Sequence, residues 1–265
     1  MEEGALDIIV LLTTGTAAGF LAGLLGIGGG LVIVPAVSAL LAWQGHGPDV
    51  AVPVAVATSL GSMLLTSAGS AAAHARAGDL DWSTALRIGP ALAAGALGGA
   101  ALAARLPGVA LARVFAVVAL LIGLRMLLGR TPSSSARAPS PRGWPVAAPL
   151  IGAVSAMAGI GGGSFNVPWL VRNGYTALQA VAIAAACGWP IALAGVAGFA
   201  LLSESPPGVP GLAGHVHVAG ALLVGLAGIA SAPLGAAAAR RIGSAGLARL
   251  FGAFLLLVAV RMALQ

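Results

Sequence analysis

Charge is what this sequence has least of. Only 8% of its 265 residues are Asp, Glu, Lys or Arg, against roughly a quarter in an average soluble domain. Lysine is absent altogether, and all 13 basic residues are arginine. A chain that is 59% hydrophobic with a mean hydropathy of +1.02 does not have water as its main solvent. One cysteine, Cys187, excludes an internal disulfide, and it stands in an apolar run without the Cys or His spacing of a metal site, so neither metal nor other cofactor is expected. The start, Met1-Glu2-Glu3, is acidic and lacks the basic region of a cleaved signal peptide. The net charge of +6 is carried by arginines scattered at the ends of apolar runs rather than gathered in a patch, which argues against nucleic acid as a partner.

What the chain has instead is length of apolar run. Eight runs cover 6–43, 50–73, 85–104, 109–128, 145–171, 175–202, 216–239 and 245–264. Most approach the ~20 residues that a helix needs to cross the roughly 30 Å hydrocarbon core. The lipid bilayer is therefore the expected partner, and the fold class is an all-α polytopic membrane protein. The abundance of Ala, Gly and Arg without Lys suits a GC-rich bacterial genome.

Four runs precede and four follow a Ser, Pro and Arg-rich stretch, TPSSSARAPSPRG, which has the composition of a linker. Residues 1–129 thus form a first membrane repeat, 130–144 a linker and 145–265 a second repeat. The two match in sequence. GIGGGLVIVP at 26–35 aligns with GIGGGSFNVP at 159–168, and Arg125-Met126 aligns with Arg261-Met262 at a nearly equal offset.

Glycines break the first run of each half. In the second half the pieces on either side are too short to span, so each half reads as a re-entrant hairpin followed by three spanning helices. That odd parity makes the halves inverted. Arginine counting agrees. With the N-terminus outside, ten arginines fall on the cytoplasmic side and only Arg105, Arg113 and Arg261 fall outside; treating each first run as one span leaves seven against six.

Unwound glycine backbone inside lipid is costly unless it lines a protein-enclosed or watery cavity. In inverted-repeat transporters, broken helices aim their N-terminal amides at an anion near the midplane. The candidate substrate-binding residues are accordingly Gly28, Gly29 and Gly30 in the first half with Gly161, Gly162, Gly163, Ser164 and Asn166 in the second. Gly26, Gly159, Pro35 and Pro168 are expected to shape the breaks, with helices beginning near Leu31 and Ser164 and the prolines in or just beyond the first turn, where a missing amide hydrogen costs little. The alternative is close packing, the role suited to Gly95 and Gly99. A soluble phosphate loop is excluded by the missing Lys-Ser/Thr.

The paired glycine motifs, the chain length, the duplication and the Arg-bearing central loop resemble the TauE/SafE family of sulfite and organosulfonate exporters. The resemblance covers essentially the whole chain. It implies a secondary transporter of the bacterial inner membrane that carries a small anion, such as sulfite, an organosulfonate or a related sulfur-containing anion, and not an enzyme. A passive anion channel shares every one of these features. The halves differ after the glycines, with Leu31-Val32-Ile33 apolar and Ser164-Phe165-Asn166 polar, so any site is asymmetric.

Other polar groups in the runs are few. Thr58, Ser59, Ser62, Thr66, Ser67 and Ser70 lie at helical spacing; Thr58 and Ser59 are candidates for lining the path, although such hydroxyls often bond their own backbone. No Asp or Glu lies deep in a run, which disfavours proton coupling through a buried carboxylate. His74, His215 and His217 read as interfacial, and Arg125 and Arg261 as snorkelling to the interface. An intramembrane hydrolase built on Ser164 fits poorly, because Phe165 follows the serine and Leu31 replaces it in the other half.

Overall fold

The computed structural model describes residues 2–25, 29–128, 139–242 and 244–265. Ten helices account for most of them: α1 (Glu2–Leu25), α2 (Gly30–Trp43), α3 (Pro48–Arg76), α4 (Trp82–Ala103), α5 (Gly108–Leu127), α6 (Trp144–Met157), α7 (Gly163–Arg172), α8 (Ala177–Leu201), α9 (Val218–Ile242) and α10 (Ser244–Ala263). Among the described residues α1, α3, α4, α5, α8 and α9 are long and apolar enough to cross a membrane, while α2 and α6 are shorter apolar helices. Large apolar side chains such as Leu86, Val117, Leu121, Leu226 and Leu257 point outward, the arrangement that lipid favours and water does not. The fold is an all-α polytopic membrane protein.

Local chemistry sets the helix ends. Asp81 caps α4, accepting from the Ser83 and Thr84 amides at 3.0 and 3.2 Å. Burial pushes its carboxyl up, but these bonds and those from the Ser83 and Thr84 hydroxyls together hold it below the ordinary carboxylate value. Thr176 and Gln179 form a reciprocal capping box that starts α8.

The packing has a regular plan. α3 is buried on every side from Ala51 to Met63 and packs against α8 at the centre. α1 lies along α9 and α6 along α4; α3 touches α9 as α8 touches α4; α2 sits on α3 as α7 sits on α8; α5 pairs with α10. Exchanging the first five helices for the last five maps each of these pairs onto another or onto itself.

Glycines let the backbones approach and reveal the helix directions. A Cβ on Gly15 would overlap Val224, one on Gly19 would overlap Gly228, and one on Gly235 would overlap the Phe20 carbonyl, so α1 and α9 run parallel. Gly95 meets Pro149 and Gly99 meets Ala153, so α4 and α6 run parallel too. The Gly95–Gly99 pair is thus a packing device, as its spacing suggests.

Each broken pair folds back on itself. The Gln44 side-chain amide donates to Asp7 Oδ1 at 2.9 Å, which brings the end of α2 back to the start of α1. The Ser140 amide donates to the Asn173 carbonyl at 3.1 Å, doing the same for α6 and α7. Following the chain from the first mouth through α3, α4 and α5 brings it to the second mouth at the other end of the bundle. A short antiparallel hairpin of β1 (Leu212–Ala213) and β2 (Val216–His217), absent from the sequence expectation, precedes α9 at the end that holds Asp7. The linker expected at 130–144 falls largely on 129–138, outside the described residues.

Candidate substrate site

The start of α2 meets the turn between α6 and α7 inside the bundle. A Cβ on Gly30 would overlap the Gly159 carbonyl and lie 2.6 Å from Met63 Cε, so only glycine admits this approach. Ser59, fully buried on α3, donates its hydroxyl to the same Gly159 carbonyl at 2.8 Å. Gly159 takes a left-handed φ of +65° and is hemmed in by Val34 and Val56. Gly30, Ser59 and Gly159 therefore come together as one contact. Gly26 and Gly28 lie outside the described residues.

The second tip carries polar groups. Gly162 is the residue preceding α7 and has φ +71°, a conformation that side chains other than glycine's rarely adopt. A Cβ there would lie 2.6 Å from Ile191 Cδ1, 3.2 Å from Asn166 Nδ2 and 3.6 Å from Ser155 Oγ. Asn166 and Ser155 are both 0% exposed, and neither amide atom of Asn166 nor the Ser155 hydroxyl has a hydrogen-bond partner. Leaving such a group buried and unsatisfied costs about 1–3 kcal/mol. Gly163 opens α7, and Ser164 beside it is buried. Gly161 leans on Met63 Sδ, which a Cβ would approach to 3.3 Å.

The prolines sit just beyond the first turn. The helices begin at Gly30 and Gly163, so Pro35 and Pro168 are each the sixth helical residue. There a proline deprives the carbonyl four residues earlier of its donor. For Pro168 that carbonyl belongs to Ser164, and Arg125 Nη1 approaches it at 3.5 Å. Arg125 is thus partly drawn in toward α7 instead of only snorkelling, whereas its repeat mate Arg261 is exposed.

Among its described residues the first tip has no such groups. Leu31 and Ile33, the counterparts of Ser164 and Asn166, are buried among apolar side chains. A Cβ on Gly29 would meet Ala18 and Ile33 at 3.1 to 3.3 Å, and Gly29 has an ordinary φ of −77°.

Thr58 faces elsewhere. Its hydroxyl accepts from the His217 amide at 3.1 Å, and it lines a cavity of about 490 Å³, counting solvent at the mouth, with Asp7, Gln44, Leu41, Val54 and His217. His217 Nδ1 in turn accepts from the Gly220 amide at 3.0 Å. Burial pushes the His217 imidazole below its ordinary pKa against the opposing pull of Asp7 and the Pro210 backbone, and burial lowers His215 as well. Among the other hydroxyls, Ser62 and Thr66 bond the Ser59 and Ser62 carbonyls of their own helix. Ser155 escaped the sequence reading, although it is the only hydroxyl in α6.

A profile described as "Sulfite exporter TauE/SafE" matches residues 11–262. The chain belongs to the TauE/SafE family. It is similar to a protein of Haemophilus influenzae named "Probable membrane transporter protein", with 30% identity over 97% of this chain and 98% of that one. A Bacillus subtilis protein named "Probable membrane transporter protein YunE" is 33% identical over 41% of this chain and 37% of its own. No solved structure matches. This TauE/SafE chain is a membrane transporter and not an enzyme.

Proposed function

We propose that this TauE/SafE protein is a secondary transporter that carries a small anion, of the sulfite or organosulfonate kind, across the bacterial inner membrane. The observation that carries the reading is the contact of the two glycine breaks, Gly30 against Gly159, deep inside the bundle and reached from two mouths at different ends. It supports two inverted repeats, 1–129 and 145–265, joined by a cytoplasmic segment 130–144, with the N-terminus outside. The mirrored contacts of the helix pairs support the same reading. Broken helices that meet in this way offer backbone amides to an anion without a lysine. Gly29, Gly30, Gly161, Gly162, Gly163, Ser164, Asn166 and Ser59 are the candidate binding residues at the two breaks, while Thr58 serves the cavity at the Asp7 end.

Purified protein in liposomes, presented with sulfite, thiosulfate, sulfoacetate, sulfate, acetate and a cation control, tests this. Saturable anion uptake at carrier rates is the expected result. A large current that does not saturate identifies a channel, and uptake of the cation alone overturns the proposal. Impermeant thiol labelling of Glu204→Cys and Ser135→Cys in intact cells should proceed from outside for the first and only after lysis for the second. Labelling of both from one side contradicts the inverted arrangement.

A further inference from the structure

Resting on that reading, we propose that the anion is held at the second tip alone, by Asn166, Ser155 and the start of α7, and that it is bound as a monoprotonated oxyanion. The site would take a group with one X=O and one X–OH oxygen and a single negative charge, of which hydrogen sulfite is an example.

Three independent features converge there. α7 has ten residues; the Phe165 and Asn166 amides bond the Gly162 carbonyl, and the positive end of the helix dipole favours negative charge at its start. Asn166 is fully buried within that first stretch, with Nδ2 beside Gly162 and both amide atoms lacking partners. Ser155, from α6, brings a second unpartnered and fully buried group to the same face. Gly162 is required beside them, since a Cβ would collide with Ile191 and crowd the other two groups.

The chemistry of a primary amide then narrows the ligand. Asn166 offers a donor on Nδ2 and an acceptor on Oδ1, and a fully ionised oxyanion satisfies only the donor. A protonated oxyanion satisfies both: its X=O oxygen accepts from Nδ2–H while its X–OH donates to Oδ1. This holds whichever way the amide is turned, because both of its ends lack partners. The remaining negative oxygen is left for the Ser155 hydroxyl and the positive end of the α7 dipole. No fixed cation is needed among these contacts, which suits an anion that must also leave.

One consequence concerns coupling. The dianion takes up one proton from water on the entry side, crosses as the monoanion and releases that proton on the exit side. The substrate itself carries the proton, and no intramembrane carboxylate is required.

The test is sulfite binding to the purified protein, measured calorimetrically over a pH range spanning the second ionisation of sulfite. Methanesulfonate, which has no proton to donate, serves as the competitor. Asn166→Leu, Ser155→Ala and Ser38→Ala are compared, Ser38 being equally buried and partnerless but on α2. Affinity should fall about tenfold or more in Asn166→Leu and Ser155→Ala, the loss of one good hydrogen bond, and stay within about twofold in Ser38→Ala. Apparent wild-type affinity for total sulfite should fall by about tenfold per pH unit above that ionisation, and methanesulfonate should compete weakly throughout. Unchanged affinity in a folded Ser155→Ala and Asn166→Leu pair, or higher thermal stability with affinity retained, overturns the site while leaving anion transport intact. Equal binding of methanesulfonate with no pH dependence overturns the protonated ligand. If the wild type binds none of the anions tested, the anion reading itself fails and the inference with it.

Discussion

The two glycine breaks share the sequence GIGGG, yet the surroundings of their described residues differ. At the second, a left-handed glycine precedes a ten-residue helix, and two buried polar side chains without partners flank it. At the first, the preceding glycine is right-handed and the positions matching Ser164 and Asn166 are Leu31 and Ile33. An anion entering the first tip would lose its water with no side-chain donor in return. The comparison teaches that duplication preserves the backbone device, a broken helix with its positive end buried, while side-chain chemistry can settle on one copy. On the proposal above, the other copy serves packing, with Gly30 against Gly159.

Glycine replacement should break this comparison most sharply. Gly162→Val forces a β-branched residue into the left-handed region, at about 1–3 kcal/mol, and drives it into Ile191. Substrate affinity should fall by roughly 100-fold in a binding assay. Gly29→Val keeps an ordinary φ and asks only that Ala18 and Ile33 yield slightly, so its loss should stay under about tenfold. Equal losses would mean that both tips bind.

A smaller effect separates the tips from the cavity at the Asp7 end. His217 holds a lowered pKa because it is buried. Below its unfolded pKa of about 6.5, the unfolded segment therefore takes up protons that the folded one resists. By linkage, folded-segment stability is full above that pH and declines as pH falls toward the folded value. Hydrogen exchange in β1 and β2 should speed up a few-fold between pH 7.5 and 5.5. The change should be smaller in His217→Gln and leave the second tip unaffected.

The smallest effect is expected from the acids. Amide replacement of each of Glu2, Glu3, Asp7, Asp49, Asp79, Asp81 and Glu204 in turn should leave anion flux within about twofold where the protein folds, because none lies at either tip. One replacement that abolishes proton movement while sparing anion binding would show a carboxylate relay and contradict substrate-borne protons.

Much of the frame was legible beforehand, for physical reasons. Lipid demands apolar runs of fixed length, so the helices follow from counting, and buried glycine runs mark breaks because little else tolerates them there. Asn166 stood out as an amide in an apolar segment. Ser155 did not, because whether a helix hydroxyl is spent on its own backbone, as with Ser62, or left open depends on tertiary neighbours. Thr58 and Ser59 are adjacent in sequence, but the helix turns one toward His217 and the other toward Gly159, which spacing alone could not apportion. The pull of the Ser164 carbonyl on Arg125 required knowing that Pro168 sits in the second turn and that α5 ends nearby.

The most direct measurement is anomalous diffraction from crystals grown with selenite, whose selenium marks a sulfite-like oxyanion in place. A single peak beside Gly162, with oxygens in hydrogen-bonding reach of Asn166 and Ser155, is the result predicted here. A peak of equal height at Gly29 and Gly30, or one only in the Thr58 and His217 cavity, would contradict the unequal tips.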